Sequence, residues 1–103
     1  MNRVKHIAFF QFKPDCSPSD IAAVWQCMEK LPTLIPGILD FTWGENISTE
    51  GLSQNFTHSF VMLFENEAAR DAYLPHPAHQ AAVEFVLPKL ASVIVCDHAC
   101  PPI

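Results

Sequence analysis

"RVKHIAFFQFK", residues 3–13, is the stretch on which the fold turns. Its aromatic and β-branched residues read as a strand. Side chains of a strand alternate between two faces. His6, Ala8, Phe10 and Phe12 therefore share one face, and Ile7, Phe9 and Gln11 the other. Both faces are largely apolar. "FTHSFVMLFE", 56–65, repeats the pattern, with His58, Phe60, Met62 and Phe64 against Ser59, Val61 and Leu63. "ASVIVCDHA", 91–99, sets Val93, Val95 and Asp97 against Ile94, Cys96 and His98. An antiparallel sheet with one wet face alternates apolar and polar residues. These strands do not, so both faces of their sheet call for cover.

The segments between the strands supply one layer of cover. Ser17 reads as an N-cap, with Pro18 in the first turn and Asp20 near the helix start. "SDIAAVWQCMEKLPTL" then places Ile21, Val24, Trp25, Met28 and Leu31 at helical spacing, until Pro32 and "IPG" at 35–37 stop it. "ILDFTWGENI", 38–47, reads as a strand, and "STEGLSQN" as a polar loop. "NEAARDAYL" reads as a short helix capped by Asn66, and "HPAHQAAVEFVLPKL" as another, opened by Pro77 and ended near Pro88. The order β-α-β-β-α-β, with the second helical region split at His76-Pro77, predicts an α+β ferredoxin-like fold with a four-stranded antiparallel sheet. Helices of one chain cover one face. The other face, with Ile7, Phe9, Val61, Leu63 and Ile94, is expected to meet a second copy across a two-fold axis, giving a dimeric α/β barrel. Each apolar side chain buried there adds about 1.5–3 kcal/mol.

A length of 103 residues suits one domain spanning 1–103. Half the residues are hydrophobic and 17% are charged, with a net charge of −5 and six Lys and Arg that form no patch. That balance argues against nucleic acid and against anionic membrane surfaces. No apolar run reaches the length of a membrane span, and "MNRVKHIAFFQF" does not read as a leader. Free thiols and a cytoplasmic location are expected for Cys16, Cys27, Cys96 and Cys100. Cys96, His98 and Cys100 cluster ligand types, but Cys16 and Cys27 form no CxxC pair. No metal site is expected. Cys27 and Cys96 read instead as small buried hydrophobes.

Two histidines on an apolar sheet face need hydrogen bonds, which draws attention to His6 and His58. Tyr73 stands near the end of the short helix and His79 near the start of the next, so the reversal at His76-Pro77 can bring them to one cavity mouth. A histidine can take and return a proton near neutrality, and a tyrosine hydroxyl can polarise a carbonyl. Asp97, on the same face, can orient a histidine. The plain alternatives are that His79 caps its helix, that His6 and His58 bond to each other or to backbone, and that His76 and His98 are surface or interface residues.

"VKHIAFFQFKPD", "IPGILDFTWGENIS", "THSFVMLFEN" and "YLPHPAHQ" together resemble the stress-responsive A/B barrel (Dabb) family, from about Val4 to Asp97. The resemblance implies a ferredoxin-like subunit that dimerises into an α/β barrel. It also implies an apolar small-molecule pocket whose ligand it does not name. One plant enzyme of the family closes a polyketide-type thioester product by aldol condensation without metal or cofactor. Its acid/base pair matches Tyr73 and His79, and two further pocket histidines match His6 and His58. The expected pocket comprises these four with Ala8, Phe10, Trp25, Met28, Phe60, Val93, Val95 and Asp97. Met28 stands where that enzyme has a second tyrosine, and Phe10 and Phe60 where it has aliphatic residues, which implies a smaller ligand. The alternatives are a cofactor-independent cyclase, isomerase or lyase, and a structural stress protein with no catalytic role.

Overall fold

A computed structural model describes residues 2–101. The elements run β1 (Arg3–Phe12), α1 (Pro18–Glu29), α2 (Leu31–Leu34), β2 (Ile38–Glu45), β3 (His58–Phe64), α3 (Glu67–Tyr73), α4 (Pro77–Val86), a 3-10 turn (Leu87–Lys89) and β4 (Leu90–Cys100). The fold is α+β and ferredoxin-like. Its strands lie in the order β2-β3-β1-β4, all antiparallel.

The helix starts follow from local chemistry. The Ser17 side chain accepts from the Asp20 amide while the Asp20 carboxylate accepts from the Ser17 amide, a closed capping box. Asn66 caps α3 by accepting from the Ala69 amide. The helix expected through Leu34 breaks after Glu29. Pro32 has no N–H for the Met28 carbonyl, and its ring disfavours helical geometry at Leu31. The chain restarts as the single turn α2 and then reverses at Gly37, whose φ is +92°. A Cβ there would meet the Ala69 Cβ at 2.6 Å, so α3 sits close because residue 37 has none.

The register sets the faces. His6 lies opposite Met62 and Asp97, Ala8 opposite Phe60 and Val95, and Phe10 opposite His58 and Val93. This is the face covered by the helices. Trp25, Tyr73, Phe64, Leu31, Met62, Val4 and Val24 are its most deeply buried side chains. Each contributes about 1.5–3 kcal/mol by burial. Trp25 of α1 stacks on Trp43 of β2, with centroids 4.6 Å apart and planes 3° apart, and the Trp43 Nε1–H donates to Glu29 Oε1 at 2.7 Å.

Among the described residues, the opposite face carries no helix. Ile7, Val61 and Leu63 are half-buried there, while Phe9, Ile94 and Cys96 are exposed. Cys96 is thus not the buried hydrophobe expected from sequence, and Cys27 is only half-buried. Val93 and Val95 take the face expected from the strand alternation. They are on the helix side, but β4 is an edge strand and the helices leave both valines exposed. Among the described residues, no helix is long and apolar enough to cross a membrane.

Candidate functional site

A cavity of about 110 Å³ opens between the sheet and the helical layer. Its sheet wall is His6, Ala8, Phe10, Phe60, Val93 and Val95, and Met28 reaches it from α1. Tyr73 and His79 line it from α3 and α4. The sheet supplies one wall because side chains two apart on one strand, and directly opposite on its neighbours, share a face. The helical wall follows from helical spacing, since His79, Ala82, Val83, Val86 and Leu87 recur at three- and four-residue steps.

Tyr73 and His79 meet because α3 and α4 are joined by only residues 74–76. His76 caps α4, its Nδ1 accepting from the Ala78 amide at 3.0 Å, and Pro77 takes the first helical position. His76, rather than His79, is therefore the cap, which leaves the His79 ring to the site. That ring lies 4.1 Å from the Tyr73 ring, centroid to centroid. His79 Nδ1 is 2.9 Å from the Leu74 carbonyl, which can only accept, so Nδ1 carries the proton and Nε2 keeps its lone pair. Burial pushes the His79 pKa below the ordinary imidazole value. Burial, with the nearby Asp97 charge, pushes the Tyr73 hydroxyl well above its ordinary value, so it stays protonated. Tyr73 itself is only 1% exposed.

Asp97 holds the third polar group. His6 Nδ1 donates to Asp97 Oδ1 at 2.7 Å, and Arg70 Nη1 donates to Asp97 Oδ2 at 2.7 Å. Burial alone would raise the Asp97 pKa, but the bonds from Arg70 and His6 outweigh it and hold the carboxyl below its ordinary value. Because the carboxylate accepts at Nδ1, His6 is left with Nε2 for the cavity. The His6 ring stands 5.8 Å from the Tyr73 ring.

Three residues placed in the pocket from sequence lie elsewhere. Asp97 stands behind His6 and does not line the cavity. Trp25 is packed among Phe10, Trp43 and His58 in the core. His58 is separated from His6 along the ladder, since it faces Phe10 where His6 faces Met62. It therefore neither floors the cavity nor bonds His6. It packs on Phe12 at 5.1 Å, and its Nδ1 bonds Thr57 Oγ1 at 2.9 Å. Burial lowers its pKa. Arg70 went unnoticed in the sequence. Its position one helical turn before Tyr73 was the available signal. The α4 residues Ala82, Val83 and Val86 were likewise legible from their spacing to His79.

The arrangement is an apolar cavity with two imidazoles and a phenol converging at one end. A cavity of about 150 Å³ is enough for benzene, so this one admits only a small molecule without rearrangement. No group of three or more His, Cys, Asp or Glu side chains is placed to hold a metal among the described residues.

The chain is similar to known proteins over nearly its whole length. Residues 4–100 match the family described as Stress responsive A/B Barrel Domain. The Arabidopsis thaliana stress-response A/B barrel domain-containing protein HS1 is 36% identical over 95 residues, 92% of this chain and 87% of that protein. Olivetolic acid cyclase of Cannabis sativa is 26% identical over 76 residues, 74% of this chain and 75% of the enzyme. A crystal structure from Thermobifida fusca, described as a dimeric ferredoxin-like protein of unknown function, superposes with a TM-score of 0.82 at 26% identity, covering 96% of this chain and 92% of that one.

Proposed function

The chain belongs to the stress-responsive A/B barrel domain family, and on that footing we propose that it is a homodimer binding a small, largely apolar molecule between sheet and helices. The polar end of the ligand faces Tyr73, His6 and His79. The observation that carries this reading is the convergence of those three side chains on a cavity whose other walls are apolar. Apolar cavities hold water poorly, which favours a ligand over a purely structural role. The dimeric T. fusca structure and the helix-free face with Phe9, Val61, Leu63 and Ile94 support association through that face. Acetone is a suitable probe, being smaller than benzene and carrying one acceptor. Titration should shift the NMR methyl signals of Ala82 and Val86 in the wild type. Ala82→Leu, which fills the cavity, should abolish the shifts while leaving far-UV circular dichroism unchanged. Binding that survives the filled cavity overturns this site.

A second reading, cofactor-independent catalysis next to a carbonyl, is favoured by one observation. His79 is held neutral with a free Nε2 beside a Tyr73 that keeps its proton. In that reading Nε2 removes a proton from the carbon beside the carbonyl, and the Tyr73 hydroxyl donates a hydrogen bond to the carbonyl oxygen as it becomes an enolate. The relation to a cyclase supports it. Given a turned-over substrate, His79→Ala and Tyr73→Phe should each lower kcat by about 100-fold or more. Undiminished turnover in both variants removes this reading and leaves the binding site standing.

A further inference from the structure

We propose that the β2–β3 loop, residues 46–57, extends the dimer contact beyond the sheet, so that a second copy of this chain docks into the concavity of about 370 Å³ between that loop and the helix-free face. The proposal rests on the open-face homodimer and goes further by assigning a separate element to it.

Phe9 and Ile94, 41% and 45% exposed, belong to the sheet side of this concavity, and Phe56 lies against Phe9 with ring centroids 6.2 Å apart. Leu52 lines it from the loop and is 74% exposed. The surface continues the apolar strip of Ile7, Val61 and Leu63. A two-fold interface sets a surface against its own copy, so a patch carrying one sign of charge would meet the same sign. The chain carries a net charge of −5, yet no carboxylate, lysine or arginine among the described residues lines this concavity.

The loop is also built rather than slack. Asn46 Nδ2 donates to Ser53 Oγ at 2.7 Å and to the Phe56 carbonyl at 3.3 Å, and Asn46 Oδ1 accepts from the Ser48 amide at 2.9 Å. Gln54 and Asn55, with φ of 52° and 68°, are consecutive non-glycine residues in left-handed geometry. The pair forms a tight turn closed by the Phe56 amide donating to the Ser53 carbonyl at 3.0 Å, a turn type whose two central residues both take positive φ. Here it delivers Phe56 to Phe9 and adds no side chain of the loop to the buried core between sheet and helices.

The test is sedimentation equilibrium on the wild type, Leu52→Asp, Phe9→Asp and Leu34→Asp. Leu34 is 56% exposed on the helical layer and serves as the charge control. Leu52→Asp should raise the dimer Kd by about 30-fold or more, the scale of losing a hot-spot contact. Leu34→Asp should leave it unchanged, and Phe9→Asp should give monomer. Leu52 is exposed enough that its variant should fold, which amide NMR spectra would verify. A wild-type Kd for Leu52→Asp beside a monomeric Phe9→Asp overturns the loop contact and keeps the open-face dimer. Wild-type Kd values for both overturn the two together. Equal weakening by Leu34→Asp assigns the effect to net charge and also overturns the proposal.

Discussion

At the scale of the residue, the site is governed by which nitrogen of each imidazole is occupied. Leu74 occupies Nδ1 of His79, and Asp97 occupies Nδ1 of His6. Both rings are therefore left with Nε2, and neither ring has its second nitrogen committed to a protein partner among the described residues. Asp97→Asn should loosen this arrangement, because Arg70 loses its ionised partner. A stability loss of about 1–3 kcal/mol is expected from a poorly satisfied, partly buried group. Protection of the His6 Nδ1–H from solvent exchange, expected from its bond to Asp97, should fall with it. The pH dependence has a definite sign. Burial holds the pKa values of His58 and His79 below 6.5 in the folded chain. Above pH 6.5 both states are neutral and nothing is gained or lost. Below it the unfolded chain takes up protons that the folded chain resists, so stability falls. Asp97 adds a second loss as pH falls below 3.8 and on through its lowered folded value. Urea unfolding of a His58→Gln/His79→Gln double variant should show a flatter pH slope on the acid side of 6.5.

At the scale of the element, the turns carry more constraint than the strands. Gly37→Ala combines a left-handed φ with a Cβ 2.6 Å from that of Ala69. It should destabilise by about 2–3 kcal/mol, read as a lower urea midpoint with an unchanged m-value. Ser17→Ala, which opens the capping box, should cost about 1 kcal/mol. The elements themselves were legible in the sequence. The strands announced themselves by β-branched and aromatic runs, and Ser17, Asn66 and Pro77 marked the helix starts. The break after Glu29 was harder, since Leu31 continues the apolar spacing and only the missing N–H of Pro32 ends it. The site was legible where one strand or helix face determines it, as for His6, Ala8 and Phe10. It was not legible where position along the ladder decides. His58 shares the face of His6, but the pairing of β1 with β3 sets it apart. Sequence alternation gives the face of a side chain, not its distance from another strand's residue. Arg70 was missed because its role comes from Asp97, 27 residues away in the chain.

At the scale of the whole molecule, one face of the sheet is finished and the other is not. The core between sheet and helices is internal to one chain. Leu63→Asp should therefore yield a monomer that keeps its far-UV circular dichroism while losing the second copy by light scattering. For the wild type, Tm should rise with protein concentration, because dimerisation is linked to folding by mass action. A concentration-independent Tm would separate folding from assembly. The stacked pair Trp25 and Trp43 has a practical outcome for such measurements. They are the only tryptophans of the chain, and they join α1 to the β2 edge of the sheet. Rings this close and this parallel couple electronically, so their near-ultraviolet signal belongs to the pair and not to either indole. Intrinsic fluorescence of this protein is thus a gauge of whether the first helix is seated. It will follow events at Tyr73 and His79 only through Phe10, which stacks on Trp25 and lines their cavity, so the site calls for a probe of its own.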